Sequence, residues 1–327
     1  MASSRRNRRR DERRAQAVRS RDSQRVRQGD LEPGLFARLS GDWIVGGLIV
    51  GVVLIAIFVF LLGQILRSGN ADPGFLQVSG ITVDPSNTNV VLLADSSGLF
   101  RSMDGGDRWE DVAFNQQQVH SVVADTSQEG IFYAAGEEIL ARSTDNGLTW
   151  QSLSTNLPTE DIRSLAVNPS DGNDLYAFVY NTGLYRSSNG GTNWRAVNFE
   201  SEASISSLAV PANAPETVFA FHTVRGLLVS RNGGETFDTV RGGIPFQAVA
   251  DIQVSQNDPN SLYAIALGKF YRSDNLGESW ELANEGLDSH RIRATWSGPE
   301  AIYVANGRGE IFVSLNGGDS WAGNLAS

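Results

Sequence analysis

An eight-residue box recurs six times in this chain and limits what it can fold into before any other feature is read. Its skeleton is Ser-x-Asp/Asn-x-Gly-x-x-Trp/Phe, and it begins at Ser102 (SMDGGDRW), Ser143 (STDNGLTW), Ser187 (SSNGGTNW), Ser230 (SRNGGETF), Ser273 (SDNLGESW) and Ser314 (SLNGGDSW). The intervals are 41, 44, 43, 43 and 41 residues, a period that belongs to propeller blades or to a solenoid.

Each period parses as four short runs of alternating apolar and β-branched residues, bounded by Gly, Asn, Asp and Pro. In the third period these are RSLAVNPSDGN, DLYAFVY, GLYRSSNGG and TNWRAVNF. That alternation is the mark of strands, and four-stranded units repeated radially make a β-propeller. The expected fold is all-β, a six-bladed β-propeller of four-stranded blades at 77–115, 119–157, 162–200, 205–242, 248–286 and 291–325.

The box has a local mechanical reading. Its third residue (Asp104, Asp145, Asn189, Asn232, Asn275, Asn316) offers a side-chain oxygen to turn amides. Its glycine (Gly106, Gly147, Gly191, Gly234, Gly277, Gly318) supplies a positive φ that other residues resist. Its aromatic (Trp109, Trp150, Trp194, Phe237, Trp280, Trp321) packs on a neighbouring sheet. These are structural roles, so no metal or ligand is expected at the boxes. The recurrent Tyr133, Tyr176, Tyr263 and Tyr303 read as core, and Arg101, Arg142, Arg186 and Arg272 as edge or inter-blade hydrogen-bond partners.

The N-terminal quarter is different in kind. Residues 1–42 hold twelve Arg against six acids, whereas residues 67–327 hold fifteen basic residues against thirty-one acids. The tail lacks the apolar content to fold and reads as a disordered cytoplasmic segment. Residues 43–66 (WIVGGLIVGVVLIAIFVFLLGQIL) carry no charge. At about 1.5 Å per residue they would span about 36 Å as a helix, enough to cross a bilayer. The Arg excess ahead of this segment places the N-terminus in the cytoplasm and the body in the periplasm, cell exterior or a lumen. Gly47 and Gly51 form a small-xxx-small pair suited to helix packing. A linker, 67–76, leads into the propeller domain, 77–327. The chain has no Cys, which excludes disulfides, thiolate metal sites and thiol nucleophiles. No cofactor or metal is expected. No domain accompanies the Arg run, so no nucleic-acid partner is expected either.

The boxes resemble Asp-box, or BNR, repeats, which occur in sialidases, sortilin-type receptors and the photosystem II stability and assembly factor family. Sialidase chemistry calls for a Phe/Tyr-Arg-Ile-Pro motif ahead of the boxes. The nearest string here, Gly243-Ile244-Pro245, lacks the Arg. Resemblance to the assembly factor family implies a non-catalytic propeller that binds a membrane protein complex, photosynthetic or respiratory, during its maturation. The alternative is a glycan-binding or sialidase-like hydrolase ectodomain. Against that family's expected pattern, this chain carries six boxes in place of seven repeats and an anchor in place of a cleaved export signal.

With the boxes on one face, the binding site is expected on the other. Ser79, His120, Arg163, Ser206, Ala250 and Arg293 occupy one position near the start of each inner strand and should ring the channel mouth. His222, Arg225, Lys269 and Arg308 lie in second-to-third strand turns, and Arg241 and Arg291 in the longer connections. The cationic members and the histidines are the candidate partner-binding set, a locally basic mouth on an acidic body.

Overall fold

The computed structural model describes residues 77–197, 205–242 apart from Asn213, Ile244, 249–287 apart from Gln256 and Pro259, 289–294, 301–306 and 310–323. The Arg-rich tail, the hydrophobic segment with Gly47 and Gly51, the linker and Arg308 lie outside the described residues. Among the described residues no helix is long and apolar enough to cross a membrane.

Six antiparallel sheets form, each from four strands consecutive in the chain. The inner strands are Val78–Val83, Val119–Ala124, Ile162–Asn168, Ile205–Ala209, Val249–Val254 and Ser289–Ala294. Each lies against the inner strand of the next blade, and the sixth lies against the first, so the ring is closed. Among the described residues no strand is exchanged at the seam. Closure comes from packing of Val78, Ile81, Leu93 and Phe100 of the first blade against Tyr303 and Ile311 of the sixth. The expected six-bladed, four-stranded propeller is what the chain builds. One boundary moves: the sixth inner strand begins at Ser289, two residues ahead of the expected start.

The core is divided among the blade interfaces because a blade's sheet has two apolar faces and each needs a neighbour. Tyr133, Tyr176, Tyr263 and Tyr303 are all buried. Every box aromatic packs with a cluster that includes the preceding blade. Trp150 joins Leu92 of the first blade, Trp194 joins Leu140 of the second, and Trp109 joins the seam with the sixth. The rule therefore runs all the way round.

Within the boxes, the Ser hydroxyl accepts from the Gly amide at 2.8–3.0 Å in all six copies. The Asp or Asn Oδ1 accepts from the amide four residues on, again at 2.8–3.0 Å. Asp and Asn are interchangeable here because only an acceptor oxygen is required. The box glycines adopt φ from +77° to +106°. The preceding residue is also left-handed, including Asn146 and Leu276; the box skeleton does not signal this.

The recurrent arginines reach across blades as well as along them. Arg186 Nε donates to Asp174 Oδ1 at 2.7 Å, and its Nη1 donates to Glu216 Oε2 of the next blade at 3.0 Å. The side-chain hydrogen bond to Asp174 pushes the Arg186 pKa further up, against the effect of burial. Arg272 likewise reaches Asp319 of the sixth blade at 3.1 Å.

Candidate functional site

Every inner strand begins with a bulge. In the second blade Val119 pairs with Gly136 and Ser121 with Ala135, which leaves His120 unpaired between them. The same skip falls on Ser79, Arg163, Ser206 and Ala250. A repeated bulge turns one side chain per blade out of the ladder at the end of the strand, and here that end is the channel mouth. In the sixth blade the skip falls on His290, since Ser289 pairs with Asn306 and Arg291 with Ala305. The expectation that Arg293 holds this ladder position is corrected: the skipped residue of the sixth strand is His290. A constant 43-residue step selects Arg293, but the connection between the fifth and sixth blades is three residues shorter than that step. Arg293 instead pairs with Tyr303 further down the strand.

The mouth opens into a cavity of about 420 Å³ lined by His120, Arg163, Tyr180, Ser206 and Arg291 among others. Below it runs an axial passage of only about 80 Å³. Beside it lies a polar groove of about 720 Å³ lined by Gln116, Gln117, Gln118, Glu137 and Asp161. The box-bearing hairpins are at the other end of the blades, where box amides bond the first-to-second strand turns, as Gly105 N does to Asn89 O at 2.9 Å.

Arg163 is the hub of the mouth. Its Nε lies 2.7 Å from Asp161 Oδ1, its Nη2 lies 3.5 Å from Glu137 Oε1, and its guanidinium stacks 4.7 Å from the centre of the half-exposed Tyr180 ring. The charge of the rim is therefore mixed. His120 sits beside them, its pKa lowered first by burial and then by the Arg163 guanidinium, while Asp161 and Glu137 pull the other way. Deeper in, Asp251 faces the axial passage. It accepts from Ser207 Oγ of the fourth blade at 2.6 Å and from the Ile292 amide of the sixth at 3.1 Å. It is one of the residues lining that passage. Burial pushes its pKa up, with the Arg291 charge as the main opposing influence.

Of the remaining candidates, Arg225 and Arg241 meet at a separate cleft of about 170 Å³ with Trp280, between the fourth and fifth blades. Lys269 lies 3.7 Å from Glu285. His222 is buried, and its Nδ1 accepts from the amides of Val224 and Arg225 at 3.0 and 3.2 Å. That ring closes a turn. The structure thus brings His120, Arg163 and Arg291 together and leaves Arg225, Arg241 and Lys269 elsewhere on the face. Glu137, Tyr180 and Asp251 were not among the candidates from sequence. Only Tyr180 carried a signal, as an aromatic at the tip of a hairpin.

The family model for the photosynthesis system II assembly factor YCF48 matches residues 76–326. The chain belongs to that family. Among solved structures, this YCF48-family chain is similar to a GH74 xyloglucanase from Xanthomonas campestris at 15% identity and a TM-score of 0.56, over 77% of this chain and 54% of that one. It is also similar to an ancestral GH74 enzyme at 19% identity and a TM-score of 0.53, over 74% of this chain and 37% of that one. The chain spans about half or less of the length of those two proteins. A YCF48 bound to a D1 peptide matches at 20% identity and a TM-score of 0.50, over 76% of this chain and 82% of that one. At such identities the likeness shows the propeller fold alone. No curated protein matches the chain.

Proposed function

We propose that this YCF48-family propeller is a non-catalytic, membrane-anchored binding module. It would help assemble or stabilise a membrane protein complex, photosynthetic or respiratory, on the outer or lumenal side of the bilayer. The observation that carries this reading is the family match over residues 76–326. A YCF48 structure that holds a D1 peptide supports a peptide segment of a membrane protein as the ligand class. The channel mouth suits such a segment. It offers a broad polar cavity, the cation Arg163 and the ring of Tyr180, and the neighbouring glutamines can pair with a peptide backbone. Residues 43–66 are the anchor in this reading, with the N-terminus cytoplasmic and Gly47 and Gly51 available to a neighbouring helix.

The test is to purify the full-length protein in mild detergent after cross-linking in its native membrane and to identify the bound proteins by mass spectrometry. Membrane protein subunits are expected. Arg163→Glu combined with Tyr180→Ala should lose them while the melting temperature stays near wild type, and Arg231→Glu on the box-bearing side should keep them. Retention of every partner by the double variant would remove the mouth as the site. Binding to a glycan panel in place of proteins would favour the glycan-binding alternative.

A further inference from the structure

We propose that His120, Glu137 and Asp161 form a zinc-class divalent-metal site on the rim of the channel mouth. The three residues come from separate segments that only the fold brings together. His120 is the bulge residue of the second inner strand, Glu137 follows the second strand of the same blade (Phe132–Gly136), and Asp161 lies just ahead of the third inner strand. A nitrogen of the imidazole and one carboxylate oxygen from each acid all lie within 4.8 Å of one another. Displacements of about 1 Å would set all three on one ion at the roughly 2.0–2.2 Å that zinc takes with nitrogen and carboxylate ligands.

A second observation points the same way. Nε2 of His120 is sealed from solvent and has no hydrogen-bond partner among the described residues. Buried ring nitrogens are nearly always paired, and a cation that the ring holds through Nε2 would pair it. One imidazole with two carboxylates suits zinc better than calcium or magnesium, which favour all-oxygen sets. The present counter-charge to both acids is Arg163. Pairs of this kind, open to solvent on one side, add little net stability, so an ion can displace the guanidinium at small cost. Three protein ligands leave a fourth position open, as at zinc sites that exchange ligands. Here it would lie between the 420 Å³ cavity, which His120 lines, and the 720 Å³ groove, which Glu137 and Asp161 line.

The site stands apart from the identity of any partner, and its test needs none. Zinc alone is titrated by calorimetry into metal-stripped, full-length protein in mild detergent, prepared without a polyhistidine tag, and cobalt absorption reports the ligand field. The expected result is one equivalent bound. His120→Ala and the Glu137→Gln, Asp161→Asn pair should each weaken binding at least about tenfold. Arg163→Gln should tighten it and Arg231→Ala on the box-bearing side should leave it unchanged. If His120→Ala fails to melt cooperatively, His120→Asn takes its place. No stoichiometric binding to the wild type, or binding that survives loss of the His120 ring, would overturn the proposal.

Discussion

Arg291 of the sixth blade donates from Nε to the backbone carbonyl of Ser79 in the first, a contact between residues 212 apart in the chain. Its Nη1 also donates to the Ala250 carbonyl of the fifth blade at 3.3 Å. One side chain thus bridges three blades at the seam, where no strand crosses. Arg291→Met keeps much of the side chain's length and removes its donors. It should cost roughly 2–3 kcal/mol, the scale of hydrogen bonds from a charged group. The check is urea denaturation of the full chain followed by circular dichroism, and an unchanged midpoint would show that the seam does not depend on this residue.

Asp251 gives a pH dependence of definite sign. Its folded-state pKa lies above the ordinary value of 3.8, so the native state holds the proton more tightly than the unfolded chain. Stability from this group is fully present below about 3.8 and is lost as pH rises through the folded pKa. Asp251→Asn should remove that loss, so the difference in stability between variant and wild type changes across this window. Thermal melts from pH 3.5 to 7 measure it. Parallel pH profiles for the two proteins would refute the assignment.

Two glycines, Gly105 just ahead of the first box glycine and the box glycine Gly318, separate backbone strain from packing. Gly105 and Gly318 both have positive φ, +78° and +95°. A Cβ on Gly105 would meet nothing nearer than 3.9 Å, whereas one on Gly318 would lie 2.2 Å from the Phe270 ring. Each substitution by Ala should cost about 1–2 kcal/mol for the left-handed backbone. Gly318→Ala should cost roughly 1–3 kcal/mol more for overpacking. Equal losses in calorimetric melts would contradict this account.

The box carboxylates act as acceptors and not as charges. Asp104 Oδ1 takes the Arg108 amide at 2.8 Å and the Ser102 hydroxyl at 2.9 Å, the same bonds that Asn makes in four other boxes. Asp104→Asn should therefore stay within about 0.5 kcal/mol of wild type. Asp104→Ala should lose about 1 kcal/mol. Comparable losses for the two variants in denaturant titrations would mean that the charge matters.

The local half of this molecule was legible in the sequence. A box that repeats six times fixes strand count, blade count and the handedness of its glycines, because each requirement is met within eight residues of chain. The site was less legible. Glu137 and Asp161 are ordinary acids in ordinary turns until the ring brings them beside His120. The His290 position was obscured because the connection before the sixth inner strand shortens while the bulge stays the same. His222 was a candidate because it lies in a second-to-third strand turn on the face away from the boxes, but the ring serves the turn beneath it. Residues such as Asp251 and Arg291, which join three blades, have no sequence neighbour that reveals their role.

The absence of a shared strand at the seam has a mechanical side. The first blade is both the edge of the opening and the place where the preceding chain attaches, at Val78. A pull on the chain ahead of Val78 would load the seam between the first and sixth blades, which among the described residues is held by side-chain packing and by Arg291. The ring is in that respect a split washer, and Arg291 with the Val78–Ile311 cluster is its catch.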